Sequence, residues 1–131
     1  MSEIKSFLRL DRLVFDKISF DRVGFKNKSQ LTHSLEARFA QNSKDNMYRV
    51  TMVLKGEKKD EYTFEISLTG FFSFNSEEKI DEKLKNDLIS KNTIAIMMPY
   101  LRSQLSLLTA QPEVDCVVLP PFNINKMMEE K

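Results

Sequence analysis

The stretch YTFEISLTGFFSF, residues 62–74, decides the fold. Tyr62, Phe64, Ile66, Leu68, Phe72 and Phe74 alternate with Thr63, Glu65, Ser67, Thr69 and Ser73, with Gly70 keeping step. Period-two alternation is the pattern of a strand with one buried and one wet face. At ~3.3 Å per residue such a strand is roughly 40 Å long, more than a small domain readily covers, so its overhang invites a second subunit. Just upstream, Tyr48, Val50, Met52 and Leu54 alternate with Arg49, Thr51 and Lys55. The polar, glycine-initiated segment Gly56–Glu61 reads as the connection of a hairpin. Leu35, Ala37 and Phe39 alternate with Ser34, Glu36 and Arg38, and Ile18 and Phe20 alternate with Lys17, Ser19 and Asp21. Four antiparallel strands are expected, with Thr63, Glu65, Arg49 and Glu36 on their wet face.

After Phe74 the period changes. Asn75 and Glu78 form a plausible capping pair before Ile80, Leu84 and Leu88 at helical spacing. Asn92 is expected to open a second helical stretch, with Ile94, Met97, Met98, Leu101, Leu105 and Leu108 on one stripe. Pro99 removes a backbone donor and should kink or break that stretch, and Gln111-Pro112 should end it. Pro120-Pro121 forces an extended turn, after which Asn123 or Asn125 can cap a last turn carrying Met127 and Met128. The fold class implied is α+β: a four-stranded antiparallel sheet with helices packed on one face, a single domain over residues 1–131.

Composition narrows function. The 20 basic and 19 acidic side chains leave a formal charge of +1, which lacks the footprint of a protein built around phosphate backbones. Nucleic acid is therefore not an expected partner, although Gly70-Phe71-Phe72-Ser73-Phe74 faintly suggests the aromatic strand of an RNA-binding domain. That reading needs a basic sheet face, and Glu65, Thr69 and Glu36 stand beside it. With 3 glycines and no phosphate-cradling glycine motif, nucleotide binding by those routes is excluded. His33 is the single histidine and Cys116 the single cysteine, too few for a zinc site, and nothing nearby completes a nucleophile and base. No catalytic residue, metal or cofactor is expected. One cysteine allows no intrachain disulfide, no apolar stretch is long enough to insert in a membrane, and with no basic-then-apolar leader at Met1 a cytoplasmic location is expected.

Several motifs together resemble the SecB family of export chaperones and their SecB-like relatives. Met98-Pro99-Tyr100-Leu101-Arg102, within the apolar stretch from Asn92 to Thr109, is similar to the family's Phe-Pro-Tyr-Ala-Arg helix. Val118–Ile124 resembles its Leu-x-Pro-x-Asn-Phe turn into a final helix, Ile18-Ser19-Phe20-Asp21 its Ile-Ser-Phe-Glu, and Phe64–Ser73 its long fourth strand. The order and spacing of these motifs span about Val14 to Met128. The resemblance implies a holdase that binds unfolded or pre-translocation polypeptides through exposed apolar grooves, as a homotetramer built as a dimer of dimers. A SecB-fold adaptor or structural subunit with one dedicated protein partner is the alternative. The groove is expected at Leu35, Ala37 and Phe39, at Phe72 and Phe74, and at Ile124, Met127 and Met128. Asp21 and Glu65 match acidic positions that meet the SecA motor in the family, whereas Lys17 stands where the family has Asp. The chain also stops at Lys131, short of the family's SecA-contacting tail. These departures weigh against SecA and toward SecB-like chaperones that serve toxin–antitoxin pairs.

Overall fold

The computed structural model describes residues 6–42, 47–76 and 81–120. Four strands, β1 (Ser6–Arg22), β2 (Leu31–Asn42), β3 (Met47–Lys58) and β4 (Tyr62–Ser76), precede one helix, α1 (Glu82–Thr109). All pairings are antiparallel and the sheet order is β1-β4-β3-β2. Because β1 and β2 occupy opposite edges, the chain between them must cross one end of the sheet.

β3 and β4 pair with Lys58 opposite Tyr62, so their turn is only Lys59–Glu61, with Asp60 in the left-handed region at φ 62°. The expected connection from Gly56 is therefore too long: Gly56 lies within β3, opposite Phe64. It is glycine for a packing reason, since a Cβ there would stand 2.2 Å from the Phe64 ring that covers it.

The 17-residue β1 carries two register shifts, between Leu10 and Arg12 and between Phe15 and Lys17. Each inserts one residue, Asp11 and then Asp16, and reverses which parity of side chain faces the helix. By register, Leu8 and Leu10 face inward with Phe74 and Phe72; Leu13 and Phe15 follow opposite Gly70 and Leu68; Ile18 and Phe20 then join Ile66 and Phe64. Only the last pair was visible as alternation in the sequence.

The two expected helices are one. β4 continues through Asn75 to Ser76, so Asn75 belongs to the strand, and Asp81 is the residue before α1. Pro99 lies inside α1 without ending it. The carbonyl it deprives of a donor belongs to Ala95, an exposed position where water can take the bond. The first turns of the helix bury Ile89, whereas Leu84 is exposed and Ile80 lies outside the described residues. Further along, Ile94, Met97, Met98, Leu101 and Leu105 are buried as their spacing predicts. They close on Val50, Met52, Ile66, Leu68 and Phe72 in one continuous core. Full burial of each such side chain contributes about 1.5–3 kcal/mol against the entropy of ordering it.

Candidate functional site

The helix-facing side of the sheet has a sealed centre and an open margin. α1 lies over β4 and β1. On β4, Phe72 is fully buried and Phe74 nearly so. The expectation that these two line an open groove is corrected: α1 and β1 cover them, and no ligand reaches them in this arrangement. On the same side β2 presents Leu35, Ala37 and Phe39, opposite Leu54, Met52 and Val50 of β3. These three are not sealed. Leu35 and Ala37 are half-buried against the core, and Phe39 is 39% exposed. Ile124, Met127 and Met128 lie outside the described residues.

A cavity of about 250 Å³ opens between this margin and the first turns of α1. Phe39, Gln41 and Tyr48 line it from the sheet, and Asn86, Ile89 and Ser90 from the helix. Tyr48 is buried, yet its hydroxyl has no hydrogen-bond partner among the described residues. An unsatisfied buried hydroxyl costs about 1–3 kcal/mol. The Lys85 ammonium caps this end, 5.9 Å from the centre of the Tyr48 ring and 5.8 Å from that of Phe74. Sequence reasoning missed Tyr48, Asn86 and Ile89 as a group, because their meeting depends on where α1 crosses the sheet.

Asp21 and Glu65 lie on the other, helix-free side, as the pairing of Ser19 with Glu65 and Asp21 with Thr63 requires. Glu65 is ion-paired to Lys17 at 3.5 Å. The lysine that replaces the family's aspartate thus partly neutralises the acidic position beside it.

A second polar arrangement holds the sheet end where the chain crosses. Val23 and Gly24 donate their amides to the Glu61 carbonyl at 2.8 and 3.1 Å, and Asn27 donates its amide to the Glu61 carboxylate at 2.8 Å. Lys58 pairs with the same carboxylate oxygen at 2.9 Å, while the other oxygen is buried without a partner among the described residues. Burial alone raises the Glu61 pKa. The hydrogen bonds from Lys58 and Asn27 and the charges of Lys58 and Arg22 outweigh it and hold the carboxyl below its usual range. Outside this, Lys26 and Asp115 form an exposed ion pair at 2.9 Å, which raises the lysine and lowers the aspartate, each chiefly through their hydrogen bond. Arg22 donates to the Glu113 carbonyl at 2.8 Å. The segment after α1 then runs back along the helix: Val117 donates its amide to the Thr109 hydroxyl, and Arg102 donates to the Leu119 carbonyl. These ties fix the margins of the fold at one end.

His33 is exposed on β2, and Cys116 is an exposed free thiol beyond α1. Among the described residues no group of His, Cys, Asp and Glu is arranged to hold a metal, and no helix is long and apolar enough to cross a membrane.

The fold has solved counterparts. The SecB-like chaperone of Mycobacterium tuberculosis, solved in complex with a ChAD peptide from the HigA1 antitoxin, superposes with a TM-score of 0.65 at 14% identity, covering 88% of this chain and 91% of that one. A protein of unknown function from Streptococcus agalactiae gives a TM-score of 0.52 at 11% identity, covering 91% and 99%. At such identities the likeness is one of fold, and the fold is SecB-like. In sequence, an uncharacterised protein of Methanocaldococcus jannaschii is 32% identical over 97 residues, 71% of this chain. The chain spans 61% of the length of that relative. No family model matches the sequence.

Proposed function

We propose that this protein is a chaperone-like binder of unfolded polypeptide, working without chemistry through the half-open margin of β2 and the cavity beside it. The observation that carries the reading is the exposure of Phe39, with Leu35 and Ala37 half-open beside it, on the same sheet side whose centre is sealed. An extended client laid along that margin buries apolar surface at about 25 cal/mol per Å² with no fixed sequence required. Ile124, Met127 and Met128 supply further adaptable apolar surface from the end of the chain.

A single such strip binds weakly, so the reading includes a homo-oligomer, in the simplest form a tetramer of two dimers. Several strips on one particle raise the local concentration for each further contact. Two features support association. β1 and β2 are unpaired edges among the described residues. α1 also carries Tyr100 and Leu107, one heptad apart and 46% and 69% exposed, on its outward side.

A dedicated-partner reading is the second possibility, supported by the SecB-like neighbour that holds one antitoxin peptide. In that reading this chain serves a single toxin–antitoxin or other protein partner. Aggregation assays with several unrelated, chemically unfolded clients separate the two. A holdase protects most of them, and Phe39→Asp abolishes that protection while the protein stays folded. Protection of one client alone favours the dedicated partner, and full protection by Phe39→Asp removes the β2 margin from the site.

A further inference from the structure

The helix-free side of the sheet is electrically divided. Across one end, register places Arg12, Phe71, Arg49 and Ala40 in a single row over β1, β4, β3 and β2. The neighbouring row ends in Arg38, opposite Thr51. Toward the other end the acidic positions Glu65, Asp21 and Glu57 gather, with Lys17 and Lys55 among them. Two adjoining depressions of about 510 and 470 Å³ share Ala40, Arg49 and Phe71 as lining, so Arg49 stands between them.

Charges around this row are unevenly satisfied. Arg38 pairs with Glu36 at 3.1 Å, and the Asp16 carboxylate is engaged by the Thr69 hydroxyl, which also contacts the Thr51 hydroxyl at 3.0 Å. The Arg12 guanidinium sits over the half-buried Phe71 ring, 5.8 Å from its centre, without a carboxylate partner among the described residues. Arg49 is exposed and has neither ion pair nor hydrogen bond among them. One guanidinium therefore lies over the ring at the rim, and the second stands beside it on the neighbouring strand, lining the concave surface. A guanidinium presents its donors in the geometry of a carboxylate, and the ring offers apolar contact between the two.

We propose that the Arg12–Phe71–Arg49 row binds a second, acidic polypeptide segment, one in which carboxylates flank an apolar side chain, independently of Leu35 and Ala37 on the β2 margin; Phe39 borders both surfaces. Nucleic acid fits less well. Arg12 already covers one face of the Phe71 ring, and a phosphate backbone would carry its unbroken run of charge past Asp16 toward the acidic end of the sheet, whereas two spaced carboxylates need meet only Arg12 and Arg49. A second copy of the sheet laid flat would leave the depressions on both sides of Arg49 unfilled.

The test uses a fluorescent synthetic peptide alternating Glu with Leu and Phe, its Gln counterpart, and the full chain. The Glu peptide should bind about ten-fold tighter than the Gln peptide, and raising salt from about 0.05 to about 0.5 M should remove most of that preference. Arg49→Glu should abolish the preference, Arg49→Gln should weaken it, and Leu35→Ser on the β2 margin, outside both depressions, should leave it intact, with thermal melting reporting that each variant is folded. Equal binding of the two peptides, retention of the preference in folded Arg49→Glu, or loss of it in folded Leu35→Ser overturns the proposal. So does displacement of the Glu peptide by single-stranded RNA at lower concentration than by unlabelled peptide, or by self-association of the protein.

Discussion

Phe72 and Phe39 are the same residue type on the same side of one sheet, yet one is fully buried and the other is 39% exposed. The difference is position across the sheet. Phe72 lies on β4, beneath the helix and between two strands, whereas Phe39 lies on the edge strand β2, beyond α1. A single helix covers only part of a four-stranded sheet, so apolar side chains of one kind divide into a core that stabilises the fold and a rim that remains available for binding.

Truncating the two residues in parallel should expose this division most sharply. Phe72→Ala removes a ring from the closed centre and should cost about 3–5 kcal/mol in denaturant unfolding. Phe39→Ala should cost under about 1 kcal/mol, because the ring keeps much of its contact with water in the folded state. Equal losses would mean that the rim is as much core as the centre.

The sheet end tied by Glu61 provides a smaller contrast: a buried ionised group beside the exposed ion pair of Lys26 and Asp115. The Glu61 carboxyl ionises below the usual range when folded, so the stability it contributes is present above the ordinary glutamate pKa. That contribution is lost as pH falls through the lowered value of the folded state. Melting curves between neutral and strongly acidic pH should show this acid limb, and Glu61→Gln should flatten it while lowering stability at neutral pH. The smallest effect is expected at the exposed Lys26–Asp115 pair, where Asp115→Asn should leave the melting temperature at neutral pH unchanged because solvent and salt screen such pairs.

Strands β3 and β4 were legible because unbroken alternation from Tyr48 to Leu54 and from Tyr62 to Phe74 matches a sheet buried on one side. β1 was mostly hidden for a specific reason: Asp11 and Asp16 each reverse the parity, so the inward pairs Leu8/Leu10, Leu13/Phe15 and Ile18/Phe20 recur every five residues instead of alternating every two. Pro99 was misleading because the cost of a missing helix bond depends on whether the orphaned carbonyl can reach water, and Ala95 is exposed. The candidate site was legible by half. Alternation identifies the helix-facing residues of β2 and β4 alike, but the sequence does not say which of them α1 covers. The row of Arg12, Phe71 and Arg49 was invisible, since it exists only through cross-strand register, and the turn-bound Glu61 looked like an ordinary surface charge.

The central claim is that an unfolded chain is held at the β2 margin of the helix side. A benzophenone photocrosslinker placed at position 39, and separately at the helix-free position 63 beside Asp21 and Glu57, tests it most directly with an unfolded client in excess. The account predicts strong crosslinking from position 39 and little from position 63. Equal yields, or capture only from position 63, would contradict it.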